Sequence, residues 1–184
     1  MTEEDEEGGL GGFDDLLSEA GGSSFAWEGE VLDGEGEDDL SVLAFRVGED
    51  RYCVSGDSVR EVLGSAEVTP LPGAPEYLLG ITILRRQVVG LLAMDRFLGR
   101  AREREVPVEE LRVLVVETAH YVAGIVVDEI TGLRGWPKGA MDPATLPENF
   151  HSGTRRYAVG CRAIDEGLEV LLDLEELLDA AAIQ

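Results

Sequence analysis

Side chains of the types that perform catalysis are scarce in this chain. The only histidines are His120, in the stretch ETAHYV, and His151, in HSGTRR. A histidine alone in a turn is usually just solvated, and the serine beside His151 lacks the Gly-x-Ser-x-Gly setting of a hydrolase nucleophile. Carboxylates are too numerous for any pair to stand out as a general acid and a general base. We therefore predict no catalytic residues.

Metal and cofactor sites are not indicated either. Cys53 and Cys161 are far apart and neither has a C-x-x-C partner. Both lie in apolar, strand-like runs, so we predict buried, unpaired thiols rather than a disulfide or a zinc site. Asp128 and Glu129 are interpreted as a solvated strand end. With no phosphate-binding loop and no dinucleotide fingerprint, we predict no cofactor and no metal.

One charged feature does need a functional explanation, the adjacent pair Arg85 and Arg86. The pair separates two apolar runs, GITIL and VVGLLAM. Two apolar runs around a short polar break are typical of two strands joined by a tight turn. The formal net charge of the chain is −23, so two neighbouring cations at an exposed hairpin tip are unexpected.

The charge itself excludes several classes of partner. Residues 1–40 hold 15 of the 38 acidic residues and no Lys or Arg, which leaves 23 acidic and 15 basic residues in the other 144, a net charge of −8. Nucleic acids and anionic membrane surfaces are bound through clusters of Lys and Arg, which are missing here. No apolar run is long enough to span a membrane, and the acidic start does not resemble a signal peptide. We expect a cytoplasmic protein without direct membrane insertion.

The basic residues are also unusual in kind. Lys138 is the only lysine beside 14 arginines. An acidic protein with almost no lysine stays soluble at high salt, where charge repulsion is screened, so a halophilic source is one interpretation. The other is a GC-rich genome, which favours Arg codons over Lys codons.

The first 40 residues are acidic and rich in glycine. Such a composition buries too little apolar surface to offset the entropy of ordering, so we predict a disordered tail over residues 1–40. Within it, Phe13, Leu16 and Leu17 have the i, i+3, i+4 spacing of one helix face. This island is either a helical docking peptide or a few apolar residues in a solvated tail.

The remaining chain has mostly strand-like patterns. LSVLAFRV with RYCVSG, LRVLVVE with YVAGIVVDEI, and RRYAVGCRAID with GLEVLLDL predict three further hairpins, and TGLRGW is expected to extend the second of them. DSVREVL predicts a short helical turn, and DLEELLDAAA predicts a C-terminal helix. Nine or ten short strands over roughly 140 residues predict a mainly β fold made of two small barrels.

Residues from Val59 to Leu98 resemble the CheW family, the coupling proteins of chemotaxis arrays. The similarity extends to the later segments and covers residues 41–180. The positions that match the family pattern are Val59, Glu61, Thr69, Leu71, Pro72, Ala74, Pro75, Tyr77, Gly80, Leu84, Arg85, Asp95, Phe97 and Leu98. The resemblance implies two intertwined five-stranded SH3-like β-barrels with a short C-terminal helix, and no catalytic activity.

The resemblance also implies partners and a binding site. Members of the family bind the cytoplasmic tips of chemoreceptors and the regulatory domain of the histidine kinase CheA at membrane-associated receptor arrays. Arg85, Val59, Glu61 and Gly80 match positions at the receptor-binding groove. In this hypothesis Arg85 holds a receptor carboxylate through its planar donor fork. The alternative is that Arg85 only makes a local pair, for example with Glu61.

The kinase-binding face is expected on the outer strands of the first barrel, at Val88, Val89 and Leu91. These residues could equally belong to the core. Their strand is nearly continuous in apolar residues, which fits either a partly outward-facing strand or one that is buried on both faces.

Three positions depart from the family pattern. Ile83 stands in place of Asn, Arg86 in place of Gly, and Gly90 in place of Pro. Because Arg disfavours the positive φ that Gly allows, we expect a changed turn geometry at residue 86. The departures suggest a divergent member.

Three functions remain open at this stage. The first is coupling between receptor and kinase. The second is an adaptor for another taxis or motility pathway, or a competitor that binds receptors without activating the kinase. The third, a small enzyme, has the least support.

Overall fold

The computed structural model describes residues 39–64, 66–100, 112–140, 146–147, 150–165 and 167–183. Within these ranges the chain forms ten strands: β1 Asp39–Val47, β2 Asp50–Ser55, β3 Val59–Leu63, β4 Leu78–Leu84, β5 Gln87–Ala93, β6 Arg112–Glu117, β7 Val122–Val127, β8 Glu129–Pro137, β9 Ala158–Ile164 and β10 Gly167–Leu172. The helices in the same ranges are α1 Met94–Phe97, α2 Ser152–Arg155 and α3 Leu174–Ile183, with short 3₁₀ turns at Gly56–Ser58 and Lys138–Ala140.

The strands form two five-stranded sheets. The first sheet has the order β8-β1-β2-β10-β9, and the second has the order β3-β6-β7-β5-β4. The chain leaves the first sheet after β2, completes the second with five consecutive strands, and then returns to the first. Each sheet contains one parallel contact, β2 with β10 and β5 with β7, and the other strand pairs are antiparallel. The mainly β fold predicted from the sequence is confirmed.

One large apolar cluster joins the two sheets and the C-terminal helix. It contains Phe45 and Tyr52 from the first sheet, Leu114 and Ile125 from the second, and Leu177 from α3, all fully buried. Burial of this shared apolar surface is the dominant favourable free energy of such a fold. Smaller apolar clusters line each sheet separately.

Local patterns predicted most elements but not the short helices α1 and α2, and two further predictions are wrong. All four hairpins form, and α3 begins at Leu174 as expected. The predicted helical turn in DSVREVL is wrong beyond Ser58, because Val59–Leu63 pairs with β6 as an antiparallel strand. TGLRGW belongs to β8, which pairs with β1 in the first sheet and does not extend the β6–β7 hairpin.

The prediction for the cysteines is confirmed. Cys53 and Cys161 are both buried and neither forms a disulfide. Burial, followed by the nearby charge of Glu169, raises the pKa of the Cys53 thiol well above its usual value. The thiol therefore stays protonated and is a poor nucleophile.

The described helices are all too short or too polar to cross a membrane. The tail and its island lie outside the described residues, except that Asp39 and Leu40 already belong to β1. The first strand thus begins two residues before the expected boundary.

Candidate functional site

The two arginines form the whole connection between β4 and β5. Leu84 pairs with Gln87, so Arg85 and Arg86 are a two-residue loop. Their φ angles are 46° and 70°. Positive φ at both positions is the pattern of a type I′ turn, which matches the twist of paired strands and usually contains Asn or Gly. Since a left-handed conformation costs an L-residue about 1 kcal/mol, this tip is locally strained.

The departure at residue 86 does not remove the left-handed conformation. We expected Arg in place of Gly to change the turn, because its Cβ crowds the backbone at positive φ. Arg86 nevertheless holds a φ of 70°. The pairing of Leu84 with Gln87 fixes a two-residue turn. The backbone of Arg86 therefore adopts the left-handed conformation in spite of its energetic cost.

Arg85 contacts Glu61 from the opposite edge of the second sheet. The Nη2 atom of Arg85 lies 3.5 Å from Oε2 of Glu61. The side chain of Glu61 is 9% exposed and that of Arg85 is 58% exposed. Glu61 lies on β3 and Arg85 follows β4, so the pair joins the two edge strands of the sheet. One long contact leaves most of the guanidinium available to another carboxylate.

The other two predicted receptor-binding residues, Val59 and Gly80, are buried. Val59 is 5% exposed and belongs to the shared apolar cluster. Gly80 has a φ of 147°, and a Cβ there would lie 2.3 Å from the carbonyl oxygen of Thr69. That closeness lets Thr69 exchange two backbone hydrogen bonds with Ile81, of 2.8 and 2.9 Å. Val59 and Gly80 can therefore support the site, but their burial does not fit direct contact.

The predicted kinase-binding residues lie on both faces of β5. Val88 is 61% exposed, whereas Val89 and Leu91 are each 1% exposed. Successive side chains of a strand point to opposite faces, so neighbours cannot all face one partner. Of the three, Val88 is accessible, and direct contact by Val89 and Leu91 does not fit their burial.

Ile83 is an exposed apolar residue that the sequence pattern does not single out as part of a binding surface. Ile83 is 74% exposed and lies directly across from Val88 in the β4–β5 register. An apolar residue two positions before the arginine pair, at the outward phase of the strand, was the available signal. We use the name hairpin patch for Ile83, Val88, Arg85 and Arg86, which present two apolar side chains beside two cations.

A depression lies between α3 and the second sheet. It has a volume of about 330 Å³ and is lined mainly by apolar side chains, among them Tyr77, Leu78 and Leu178. Gly90, which replaces the family's Pro, also lines it, and a Cβ there would meet only Leu78 Cδ1 at 3.5 Å. Glycine at position 90 therefore leaves open space in this depression. Residue 90 also keeps its regular pairing within β5.

The candidate catalytic residues are not brought together. His120 is exposed, with its Nε2 atom 3.6 Å from Oε1 of Glu175, and His151 is exposed at the start of α2. Asp128, expected to be solvated, accepts a 2.6 Å hydrogen bond from the Gly48 backbone and so holds the β1–β2 turn. Among the described residues, no three His, Cys, Asp or Glu side chains form a metal-binding group.

Several known proteins are similar in sequence to this chain. Residues 41–182 match the family described as the CheW-like domain. The probable chemotaxis protein CheW of Rhizobium etli is 30% identical over 139 residues, 76% of this chain and 87% of the relative. Protein FrzA of Myxococcus xanthus is 38% identical over 104 residues, 56% of this chain and 64% of the relative.

A solved structure has the same fold. The scaffolding protein TtCheW from Thermoanaerobacter tengcongensis superposes with a TM-score of 0.65, over 76% of this chain and 92% of that one. The two sequences are 19% identical, so this likeness speaks for the fold alone.

Proposed function

The chain belongs to the CheW-like domain family, and from this premise we propose that it is a non-enzymatic adaptor that couples chemoreceptor tips to the histidine kinase CheA. In this role it is cytoplasmic and is recruited to membrane-associated receptor arrays. The observation that carries the proposal is the hairpin patch. A protein of net charge −23 exposes two adjacent arginines there, next to two exposed apolar side chains.

The patch suits an amphipathic helix with carboxylates. Ile83, which is 74% exposed, offers an apolar contact of the kind that a helix face covers. Arg85 keeps most of its donors free, and its contact with the largely buried Glu61 orients the guanidinium. A carboxylate of the partner can then accept two parallel hydrogen bonds, which fixes the register of the helix.

Val88 is the accessible residue of the predicted kinase-binding region, and Ile83 lies directly across from it on β4. The adjacent Val89 and Leu91 anchor β5 in the core and keep that surface in place. We propose that the kinase contacts Val88 near the start of β5, while the receptor helix covers Ile83 and Arg85 beside it.

A second candidate is an adaptor for another taxis or motility pathway. Two observations favour it. Ile83 and Arg86 depart from the family pattern within the hairpin patch, and Gly90 departs from it at the depression beside α3. The chain is also more identical to FrzA than to the CheW protein of Rhizobium etli, although over a shorter segment.

The test is binding of the source organism's receptor cytoplasmic fragments and CheA at high salt, with wild type and Arg85→Ala. Loss of a charge-assisted bidentate contact of about 1.5–3 kcal/mol should weaken receptor binding roughly 10- to 100-fold. Arg156→Ala removes an exposed arginine of another segment, whose Nε is 3.8 Å from Glu176 Oε1, and should bind receptors as wild type does.

Each pattern of results decides between the candidates. Coupling is supported if wild type binds both partners and if receptor binding is weakened in Arg85→Ala but not in Arg156→Ala. Binding of receptors without CheA supports the second candidate. If wild type binds neither partner, the proposed function is wrong.

A further inference from the structure

The hairpin patch contains a cation that the described part of the protein leaves uncompensated. Every other arginine in the described ranges has an ion pair, a hydrogen bond or another electrostatic contact. Arg86 has none and is exposed. It lies next to Ile83 and Val88, the two most exposed large apolar residues of the described chain.

Strain adds to the case that the patch is kept for binding. Both residues of the turn hold positive φ, where Asn or Gly would cost less. Backbone strain of this kind occurs mainly at binding and catalytic sites, where the side chain is needed for function. The patch is therefore a surface that favours an acidic, apolar segment.

The chain carries such a segment itself. Phe13, Leu16 and Leu17 have the spacing of one helix face, and Asp14 and Asp15 lie between them. The segment has the complementary features: apolar groups for Ile83 and Val88, and carboxylates for Arg85 and Arg86. No Lys or Arg occurs anywhere in residues 1–40.

The connection is long enough. Residues 18–38 separate this island from Asp39, where β1 begins. A chain of that length spans at most roughly 70 Å when extended. A folded body of this size has a radius of gyration of about 14 Å, so every point of its surface lies within reach.

We propose that the island around Phe13, Leu16 and Leu17 docks on the hairpin patch of its own chain and competes with the partner of that patch. The docking stands on the charges and apolar groups named above. The competition also rests on the proposed function, because it requires that a receptor or kinase uses the same surface.

The test follows the methyl resonances of Ile83 and Val88 in the full chain by NMR, without any partner. One variant carries Phe13→Ser, Leu16→Ser and Leu17→Ser. The matched control carries Phe25→Ser and Trp27→Ser, which remove other apolar groups from the same tail. We expect both methyl resonances to shift in the island variant and to stay as in wild type in the control.

Two outcomes overturn the docking. One is that the Ile83 and Val88 resonances of the island variant equal those of wild type. The other is a wild-type shift that changes on tenfold dilution, which would place the island on a second copy of the chain. In the first case, a shift of the Leu178 methyl resonances in the same spectra would place the island at the depression beside α3 instead.

Competition is measured separately as affinity for receptor fragments. A tethered segment acts at an effective concentration of order mM. A receptor fragment must displace the docked island before it binds, so a weak intramolecular contact should lower the affinity for the receptor two- to tenfold. The island variant should bind receptors tighter by that factor. Equal affinities would refute competition, and if no receptor binds while the methyl shifts are present, the proposed function fails and the docking stands.

Discussion

Arg85 and Arg86 show how a residue's role depends on backbone conformation as much as on charge. Both hold positive φ at the tip of the β4–β5 hairpin. The family resemblance predicts that Arg85 is a receptor-binding residue. From the sequence, Arg86 is notable only as a departure from the family's Gly. In the structure, Arg86 is the arginine without a partner among the described residues.

At this scale we predict that Arg86→Gly stabilises the protein. Glycine takes positive φ without a Cβ clash, so the free energy of unfolding should rise by about 1 kcal/mol. Urea denaturation measures the change, and Arg86→Ala, which removes the charge without relieving the backbone, should stay within about 0.5 kcal/mol of wild type. Equal stabilisation in both variants would mean that charge, and not strain, is being relieved.

The β4 strand illustrates the scale of the element. A bulge at Leu78–Gly80 shifts its register against β5, and the backbone of Thr69 approaches there to pair with Ile81. The proline-rich connection before β4 is thus attached to the strand that leads into the hairpin patch. Gly80 matters for this attachment because no side chain fits between the two backbones.

We expect Gly80→Ala to be strongly destabilising, by about 3 kcal/mol or more, since it combines positive φ with a backbone clash. Gly48→Ala is the matched control. Gly48 has a φ of 62° with nothing within 4 Å of the added Cβ, so only the conformational term of about 1 kcal/mol applies. Thermal unfolding of both variants separates the cost of positive φ from the cost of the backbone clash. Similar losses of stability in the two variants would refute the clash with Thr69 as the cause.

For the whole molecule, the balance of charge decides how stability responds to salt. The chain has a net charge of −23, and its exposed ion pairs, such as Arg46 with Glu129 at 2.9 Å, are worth at most about 1 kcal/mol each. The ion pairs of Glu169 with Arg134 and Arg162 are largely buried and so are little screened by salt.

Repulsion among the acidic residues should therefore outweigh the exposed pairs. We predict that the melting temperature rises as NaCl is raised from about 0.05 M to 1 M, where the Debye length falls to roughly 3 Å. Replacing the acidic residues of 1–38 by Asn and Gln should reduce the slope. A melting temperature that falls with salt would show that exposed ion pairs dominate.

Local pattern was sufficient for the hairpins, the C-terminal helix and the buried cysteines. Alternation in AVGCRAI and the apolar stripe of Leu174, Leu177 and Leu178 depend only on neighbours in sequence, and periodicity encodes which face is buried. Family resemblance added the fold of two five-stranded units and the prediction that Arg85 binds receptors.

The tertiary structure decided what neighbours in sequence cannot. It placed β8 beside β1, made β2 and β10 parallel, and turned Val59, Val89 and Leu91 inward. It also brought Glu61 to Arg85 across the two edges of one sheet. The order of strands and the choice of facing surface are set by long-range packing, because a strand's alternating pattern is equally compatible with several partners and is satisfied only when the whole core closes.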